Sequence, residues 1–196
     1  MHHPLIFETV RAIAGRGLDA EESRRLSEAL DEAFGSCPAP TIPGERRVSP
    51  RGIALIQRFE GCAKRRADGS YTAYPDPGTG GAPWTIGWGA TGPDIGPRTV
   101  WTRAQCDARL EEDVARHAQD VDAAIGDAAT TQAQFDALAS FHYNTGAIHR
   151  ATLTKRHRAG RHDDAVREFA RWNRAGGRVL KGLVRRRAAE AALYQG

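Results

Sequence analysis

Residues 83–89 read PWTIGWG and indicate the fold class more clearly than any other stretch of the chain. Large residues alternate there with small or polar ones, which is typical of a half-buried strand, and the glycines allow a neighbouring element to approach closely. The surrounding region, residues 62–96, is rich in glycine, proline and aromatic residues and predicts short strands joined by turns. Helical patterns lie on both sides of it. We therefore expect an α+β fold, with a small sheet lobe inserted after the first core helix and followed by a larger helical lobe.

Capping residues mark the predicted helices of this main domain. Ser49 is followed by proline, which suits an N-cap and the first helical position, and Gly61 is a suitable end for that helix. Thr102 and Thr131 are each followed three residues later by glutamine, so both begin capping-box helices. Further helices are expected over residues 150–159, 162–172 and 182–194.

The N-terminal part of the chain has a different character. Residues 5–34 predict two short helices, and Asp19 with Glu22 has the spacing of a capping box. Prolines and glycines then accumulate over residues 35–44, which is typical of a linker. We therefore predict an N-terminal helical appendage over residues 1–35, a linker over 36–48, and the main domain over 49–196.

Charge is distributed unevenly along the 196 residues. The net charge of +4 combines −2 over residues 1–50, −3 over residues 51–147 and +9 over residues 148–196. A basic C-terminal segment suits an anionic partner, although a set of solvated helical faces would give the same composition. No apolar run is long enough to cross a bilayer, and the N-terminus does not have the pattern of a signal peptide. The three cysteines have neither metal-ligand spacing nor an even number for pairing, so incidental thiols are expected.

Two acidic residues suggest catalysis. Glu60 is expected at the C-terminal end of the first core helix beside Phe59, and both the helix dipole and an apolar neighbour favour its protonated form, as a general acid requires. Asp76 stands between two prolines in a rigid turn, where an ionised carboxylate is expected. Two carboxyl groups with opposed tendencies on either side of a cleft are typical of glycoside hydrolysis. Taken alone, each would also be an ordinary surface residue.

The strand at residues 83–89 offers further candidates. Thr85 would project a hydroxyl group at which a water molecule or a sugar is held. Trp84 and Trp88 are either core residues, which is the more common outcome, or platforms for sugar rings.

Several ordered motifs together resemble the phage-type lysozymes, the endolysins of glycoside hydrolase family 24. The motifs are EG at 60–61, AYPD at 73–76, WTIGWG at 84–89, SFHYNTG at 140–146, FARWN at 169–173 and GLVRRRAAE at 182–190. The resemblance covers residues 49–196, about three quarters of the chain. It implies a lysozyme-like fold and hydrolysis, with inversion, of the β-1,4 bond between N-acetylmuramic acid and N-acetylglucosamine in bacterial peptidoglycan, without a cofactor or a metal.

The resemblance also implies roles for individual residues. Glu60 is similar to the general acid of the family, Asp76 to its second carboxylate and Thr85 to the hydroxyl that helps to position the attacking water. Asn144 matches a residue of the saccharide cleft, and Tyr74 and Trp88 are further candidates for substrate binding. One of the arginines at 185–187 is expected to pair with Glu60.

The chain departs from the family pattern at two places. The spacing from Glu60 to Asp76 is longer than usual, because residues 64–71 form an enlarged turn, and Asp68 in that turn is a rival for the second carboxylate. The gap from Asp76 to Thr85 is lengthened as well. Ala90 stands where the family often has a histidine.

Two other classes of function remain open from the sequence. A lytic transglycosylase would need the catalytic glutamate but not Asp76. A non-catalytic protein would bind the cell wall, or nucleic acid, through the +9 segment, but no nucleic-acid-binding motif is recognised. We expect a monomer that binds peptidoglycan and no nucleic acid. The basic segment 148–196 is expected to contact an anionic envelope surface. As an endolysin it would wait in the host cytoplasm until it is released to the cell wall.

Overall fold

The computed structural model describes residues 10, 13, 15, 16, 19, 22, 25, 26, 41–76 and 79–196. The chain divides into two compact units, Met1–Pro40 and Thr41–Gly196. In the first unit, the amide of Glu22 donates to the Asp19 carboxylate at 2.8 Å and the Asp19 amide donates to Glu22 at 3.1 Å, which confirms the predicted capping box. The rest of the predicted appendage lies largely outside the described residues.

The second unit contains six helices and seven short strands among its described residues. The helices are α1 (Pro50–Glu60), α2 (Arg103–Ile125), α3 (Gln132–Thr145), α4 (Thr152–Arg158), α5 (His162–Phe169) and α6 (Lys181–Gln195). The strands are β1 (Tyr71–Thr72), β2 (Tyr74–Pro75), β3 (Trp84–Ile86), β4 (Ala90–Thr91), β5 (Val100–Trp101), β6 (Arg174–Ala175) and β7 (Arg178–Val179). The expected α+β architecture is confirmed.

The helix starts follow from the capping residues that the sequence contains. The Ser49 hydroxyl accepts hydrogen bonds from the amides of Arg51 and Gly52, and Pro50 occupies the first turn of α1. Thr102 and Thr131 each form a reciprocal capping box, which confirms the predicted starts of α2 and α3. The helix α1 ends where predicted, at Gly61, which has a φ of 66°.

The sheet lobe is built from small antiparallel sheets. β2, β3 and β4 form a three-stranded sheet in which Tyr74 lies opposite Thr85, and Thr85 lies opposite Thr91. β1 pairs separately with β5. A side chain at Gly87 would lie 2.8 Å from the Cys106 sulfur, so the close approach predicted for this glycine-containing strand is used to pack it against α2.

Two apolar clusters hold the lobes together. One lies between the sheets and the helices α1 and α2, and includes Ile56, Ile86 and Leu110. The other lies among the helices α2 to α6, where the rings of Phe141 and Phe169 meet edge to face with centroids 5.8 Å apart. The long helix α2 contributes to both clusters and therefore ties the two lobes to each other.

Two boundaries differ from the expectations. The helix predicted over residues 162–172 ends at Phe169, because the chain turns so that the ring of Trp172 packs on Phe141 with centroids 5.2 Å apart. Residues 174–179, which were not predicted as regular structure, form the β6–β7 hairpin. Its turn is Gly176-Gly177, with φ values of 55° and 74°, which glycine adopts easily.

The compact unit begins at Thr41, earlier than the predicted boundary at residue 49. The Thr41 amide donates to the carbonyl of Thr130 at 2.7 Å. Arg46 is buried and binds the Asp122 carboxylate at 2.6 Å and two carbonyl groups, those of Gly126 and Ala128. The last part of the predicted linker is therefore fixed to the C-terminal end of α2 and to the loop that follows it. Among the described residues, no helix is long and apolar enough to cross a membrane.

Candidate active site

Glu60 lies at the C-terminal end of α1, where the sequence places it. Its carboxylate accepts a hydrogen bond from Nη1 of Arg186 at 2.5 Å, so the structure selects Arg186 from the three arginines at 185–187. The Arg186 guanidinium also lies 5.7 Å from the centroid of the Phe59 ring. The Glu60 carboxylate therefore lies at the end of a helix, beside a guanidinium that is close to an aromatic ring.

Arg186 is held by a buried carboxylate. Glu190 has no exposed surface and accepts hydrogen bonds from Nε of Arg186 at 3.1 Å and from the Ser140 hydroxyl at 2.8 Å. Arg187 is buried as well and lies 3.0 Å from Glu190. Burial raises the pKa of Glu190, and the two arginines act against that shift. The Arg186 guanidinium beside Glu60 is thus held in place by buried side chains.

Two cavities meet at Glu60. One, of about 400 Å³, is lined by Glu60, Asn144, Thr91 and Trp88 together with residues of α2 and α3. The other, of about 520 Å³, is lined by Glu60 and Asn144 on one side and by Leu180, Leu183 and Arg185 on the other. Both cavities share Glu60 and Asn144, so these two residues lie where the two cavities meet, and the two cavities together are here called the groove.

Asn144 is held in one orientation at the centre of this groove. Its Oδ1 atom accepts a hydrogen bond from Nη2 of Arg187 at 2.9 Å. The side-chain oxygen of Asn144 therefore has a partner, and its NH2 group can donate a hydrogen bond to a ligand in the groove.

The three-stranded sheet presents a polar face and an apolar face. Tyr74, Thr85 and Thr91 lie directly opposite one another, so their side chains share one face, and Thr91 lines the cavity beside Glu60. The opposite face is buried and carries Ala73 and Ile86. The polar face is consequently the side of the sheet on which the groove lies.

Asp76 extends this polar face by one position. It follows β2 directly, and its amide donates to the carbonyl of Pro83 at 3.1 Å, so the pairing with the neighbouring chain continues. Alternation along the strand places its side chain on the same side as that of Tyr74. One of its carboxylate oxygens accepts a hydrogen bond from the Thr79 amide at 3.0 Å.

The rival carboxylate, Asp68, has a local role in the enlarged turn. It accepts hydrogen bonds from the Ser70 amide at 2.9 Å and from the Ser70 hydroxyl at 2.5 Å. These hydrogen bonds hold the pKa of the exposed Asp68 carboxyl below its usual range. Asp68 therefore serves to close its own turn, whereas Asp76 lies on the face that carries Thr85.

Trp88 is buried, whereas a platform for a sugar ring would have to be exposed. Its side chain is 8% exposed, the Arg103 guanidinium stacks 4.5 Å from its ring centroid, and its indole nitrogen donates to Asp107 at 2.6 Å. Trp88 is nevertheless one of the residues that line the cavity beside Glu60. Tyr74 and Trp84 are half-buried in the sheet lobe.

Within the described residues, no group of histidine, cysteine and acidic side chains has an arrangement that would hold a metal ion. Cys62 and Cys106 are free thiols, and Cys37 lies outside the described part of the chain.

Comparisons with known proteins agree with this arrangement. A family described as phage lysozyme matches residues 57–190, which is more than half of the chain and includes the whole groove. The chain belongs to the phage lysozyme family. Its relatives in that family include the endolysin of Bacillus phage PZA, which is 41% identical over 150 residues, and the endolysin of Acyrthosiphon pisum secondary endosymbiont phage 1, which is 34% identical over 154 residues.

The coverage of these phage lysozyme relatives differs. The match to the Bacillus phage PZA endolysin covers 76% of this chain and 55% of the relative, so the chain spans little more than half the length of that protein. The match to the endosymbiont phage endolysin also covers 76% of this chain but 97% of the relative.

Solved structures of similar proteins support the lysozyme-like fold. The endolysin from Escherichia coli O157:H7 phage FAHEc1 has a TM-score of 0.65 at 32% identity, covering 78% of this chain and 96% of that one. The muramidase domain of SpmX from Asticaccaulis excentricus has a TM-score of 0.64 at 31% identity, covering 77% and 99%.

Some residues that line the groove were missed in the sequence. Tyr143, Asp113 and His117 line the cavity beside Glu60, and burial followed by the charge of Glu60 raises the pKa of Tyr143 to about 12, so its phenol stays protonated. Tyr143 stands within a quoted family motif, which was a usable signal. Asp113 and His117 are half-buried on the long helix α2 and carried no signal in the sequence. Glu190 was quoted in a motif, but only the packing shows that it holds two arginines.

Proposed function

We propose that this chain hydrolyses the glycan strands of bacterial peptidoglycan, as a lysozyme that cleaves the β-1,4 bond between N-acetylmuramic acid and N-acetylglucosamine. The observation that carries the proposal is the position of Glu60, at the centre of a groove that lies between α6 and the polar face of the sheet. A single protonatable group at such a place can serve the leaving oxygen of a bound glycan.

The proposed reaction uses three side chains. Glu60 gives its proton to the glycosidic oxygen as the bond to the anomeric carbon breaks. A water molecule attacks that carbon from the opposite face of the sugar, positioned by Thr85, and Asp76 accepts the proton of the water. The anomeric configuration is inverted, and the cycle closes when Asp76 releases its proton to solvent and Glu60 regains one from solvent. Asn144, oriented by Arg187, donates a hydrogen bond to the saccharide, and Tyr74 and Trp88 border it.

The decisive experiment is the substitution Glu60→Gln. The amide keeps the size of the side chain but cannot release a proton, so hydrolysis of purified peptidoglycan should fall at least ~100-fold while the fold is retained. Turbidity loss and circular dichroism measure the two effects. Glu112→Gln, an exposed change on α2, is the matched control and should keep wild-type activity. A Glu60→Gln variant with substantial activity would reject the assignment.

A second comparison tests the other carboxylate. Asp76→Asn should reduce activity by roughly 100-fold or more, because the amide cannot accept the proton of the water. Asp68→Asn should change it less than about twofold, since Asp68 bonds only within its own exposed turn in the described structure. The opposite ranking would move the second carboxylate into the enlarged turn. A lytic transglycosylase would tolerate Asp76→Asn and leave an anhydro sugar, whereas hydrolysis leaves a reducing muramic acid.

We further propose that the enzyme acts as a monomer, that it remains in the host cytoplasm until it is released to the wall, and that the basic segment 148–196 attaches it to an anionic envelope surface. The net charge of +9 over that segment supports the attachment.

A further inference from the structure

The β6–β7 hairpin and the first turns of α6 form an exposed surface with unusual composition, here called the hairpin patch (residues 174–185). Residues 174–182 are all exposed. Val179 is 51% exposed, and Leu180 and Val184 are each 43% exposed, so three of the large exposed hydrophobic side chains of the described structure lie in this one short stretch. Clustered apolar exposure of this kind indicates an interaction surface.

The same patch carries only positive charges. Arg174, Arg178, Lys181 and Arg185 are exposed, and no acidic residue occurs between Glu168 and Glu190 in the sequence. None of the four makes an ion pair with another described residue. The basic residues on α5 differ in this respect, because Arg161 and Arg167 both pair with Asp164.

The patch is held in a defined shape. β6 and β7 pair in register around the two-glycine turn, and the Leu180 amide donates to the carbonyl of Asn173 at 3.0 Å. In this register Arg174 lies opposite Val179, so these two side chains are presented together on one face of a fixed hairpin, whereas Arg178 lies opposite Ala175 on the other face.

We propose that the hairpin patch binds the surface of a bilayer that contains anionic lipids. The arginines and the lysine match the negative headgroups, and the aliphatic side chains enter the boundary between headgroups and acyl chains. An anionic polysaccharide or polyphosphate would satisfy the charges but would leave Val179 and Val184 exposed, which is why a lipid surface fits better. Leu180 and Arg185 also line the cavity of about 520 Å³ beside Glu60, so the patch adjoins the groove. This inference rests on the envelope attachment proposed above, and it narrows that attachment from a whole segment to one patch and one chemistry.

The test is co-sedimentation of the full chain with vesicles of phosphatidylglycerol and phosphatidylethanolamine, compared with vesicles of phosphatidylcholine alone. The protein should sediment with the anionic vesicles only. The substitutions Arg174→Gln and Lys181→Gln together should weaken binding roughly tenfold or more, since each basic residue near an anionic surface contributes about a fivefold factor. Val179→Ser with Val184→Ser should weaken it at least about fivefold, because the apolar contribution is removed.

Two controls separate the patch from general charge and general hydrophobicity. Lys155→Gln with Arg158→Gln removes the same net charge from exposed positions on α4, and Val100→Ser removes an equally exposed valine from β5. Each should change binding less than about threefold, because binding depends on the patch and not on the total charge. All variants should melt within a few degrees of wild type.

Three results would overturn the proposal. Equal losses of vesicle binding from the charge substitutions in the hairpin patch and from those on α4 would show unspecific attraction to the vesicles. Binding that is unaffected by the valine substitutions, with the same variants bound unchanged to soluble polyphosphate, would identify an anionic polymer as the partner. No sedimentation with anionic vesicles would reject a lipid surface altogether. Vesicle binding does not require hydrolysis, so these results stand apart from the fate of Glu60→Gln.

Discussion

Glu190 is the residue on which the charged part of the site depends. It is fully buried, and it contacts Arg186, which in turn contacts Glu60, and Arg187, which in turn contacts Asn144. One carboxylate therefore positions both a partner of the proposed acid and a partner of the proposed substrate-binding amide. Buried charges are expensive to leave without a partner, so the arrangement is stable only while it is complete.

The substitution Glu190→Gln should consequently destabilise the fold and lower activity together. The amide keeps the shape but leaves two buried guanidinium groups without their shared counter-charge, so we expect a loss of about 3 kcal/mol in the free energy of unfolding. Denaturation by urea measures the loss. Glu168→Gln, which breaks the contact of Glu168 with the exposed Arg171, is the control and should cost less than about 1 kcal/mol. Similar losses from the two variants would contradict the role given to Glu190.

For individual residues, the sequence predicted which side chains belong to the site better than it predicted which side chains contact one another. Glu60 at a helix end followed from local signals, because Ser49, Pro50 and Gly61 define the ends of α1 by short-range hydrogen bonds and backbone preference. The choice of Arg186 as its partner did not follow, because three successive arginines differ only in the face of α6 that they occupy. The burial of Trp88 did not follow from the sequence either, since it depends on contacts with Arg103 and Asp107 of the helix α2.

At the scale of the elements, a directed chain of hydrogen bonds joins α4, α5 and α6. The Thr130 hydroxyl donates to the carbonyl of Ala128 at 2.8 Å, so it must accept from Nε2 of His157, which lies 2.8 Å away. Nδ1 of His157 then accepts from the Tyr194 hydroxyl at 2.6 Å, and Tyr194 accepts from Nδ1 of His162 at 2.9 Å. The chain fits a neutral His157 and has no acceptor for a second proton on it.

Stability should therefore decrease in acid because of His157. Burial, followed by the charges of His162 and Arg46, lowers the pKa of His157 from 6.5 to about 4. The unfolded chain binds the proton more readily, so the contribution is complete above pH ~6.5 and is lost as the pH falls towards 4. The full loss is about 3 kcal/mol.

Denaturation at pH 7.5 and at pH 4.5 measures this effect, since the difference between the two free energies of unfolding should shrink by about 2–3 kcal/mol in His157→Gln, which cannot titrate. His149→Gln, at an exposed position, is the matched control and should leave the pH dependence as in wild type. An unchanged pH dependence in His157→Gln would show that other groups cause the acid sensitivity.

Long elements with capping boxes were predicted well, and the hairpin was missed. The starts of α2 and α3 depend on threonine and glutamine three residues apart, and this information is local. Strands of two residues hold few side chains, so β6 and β7 give no periodic pattern. The Gly176-Gly177 pair was the available signal, because two successive positive φ values suit a hairpin turn.

At the scale of the whole molecule, the compact catalytic unit depends on residues just before its first helix. Arg46 is buried beside the C-terminal end of α2, where its guanidinium contacts Asp122, two carbonyl groups and the Thr41 hydroxyl. Proline and glycine over residues 35–44 suggested a linker, but composition alone does not show that a single arginine just after them is fixed by the loop after α2. Asp122 has its buried ion-pair partner only when the chain includes Arg46.

Two truncations should therefore behave differently. A chain that begins at Thr41 keeps every described contact of the second unit and should fold and hydrolyse peptidoglycan. A chain that begins at Arg47 leaves Asp122 without its buried partner and should lose about 3 kcal/mol in the free energy of unfolding. Arg46→Gln in the full-length chain should reproduce most of that loss, since the substitution removes the same ion pair. Equal stability of the two truncated chains would show that Arg46 contributes little, and a clear rise in initial rate on removal of residues 1–40 would show that the N-terminal unit restrains the enzyme.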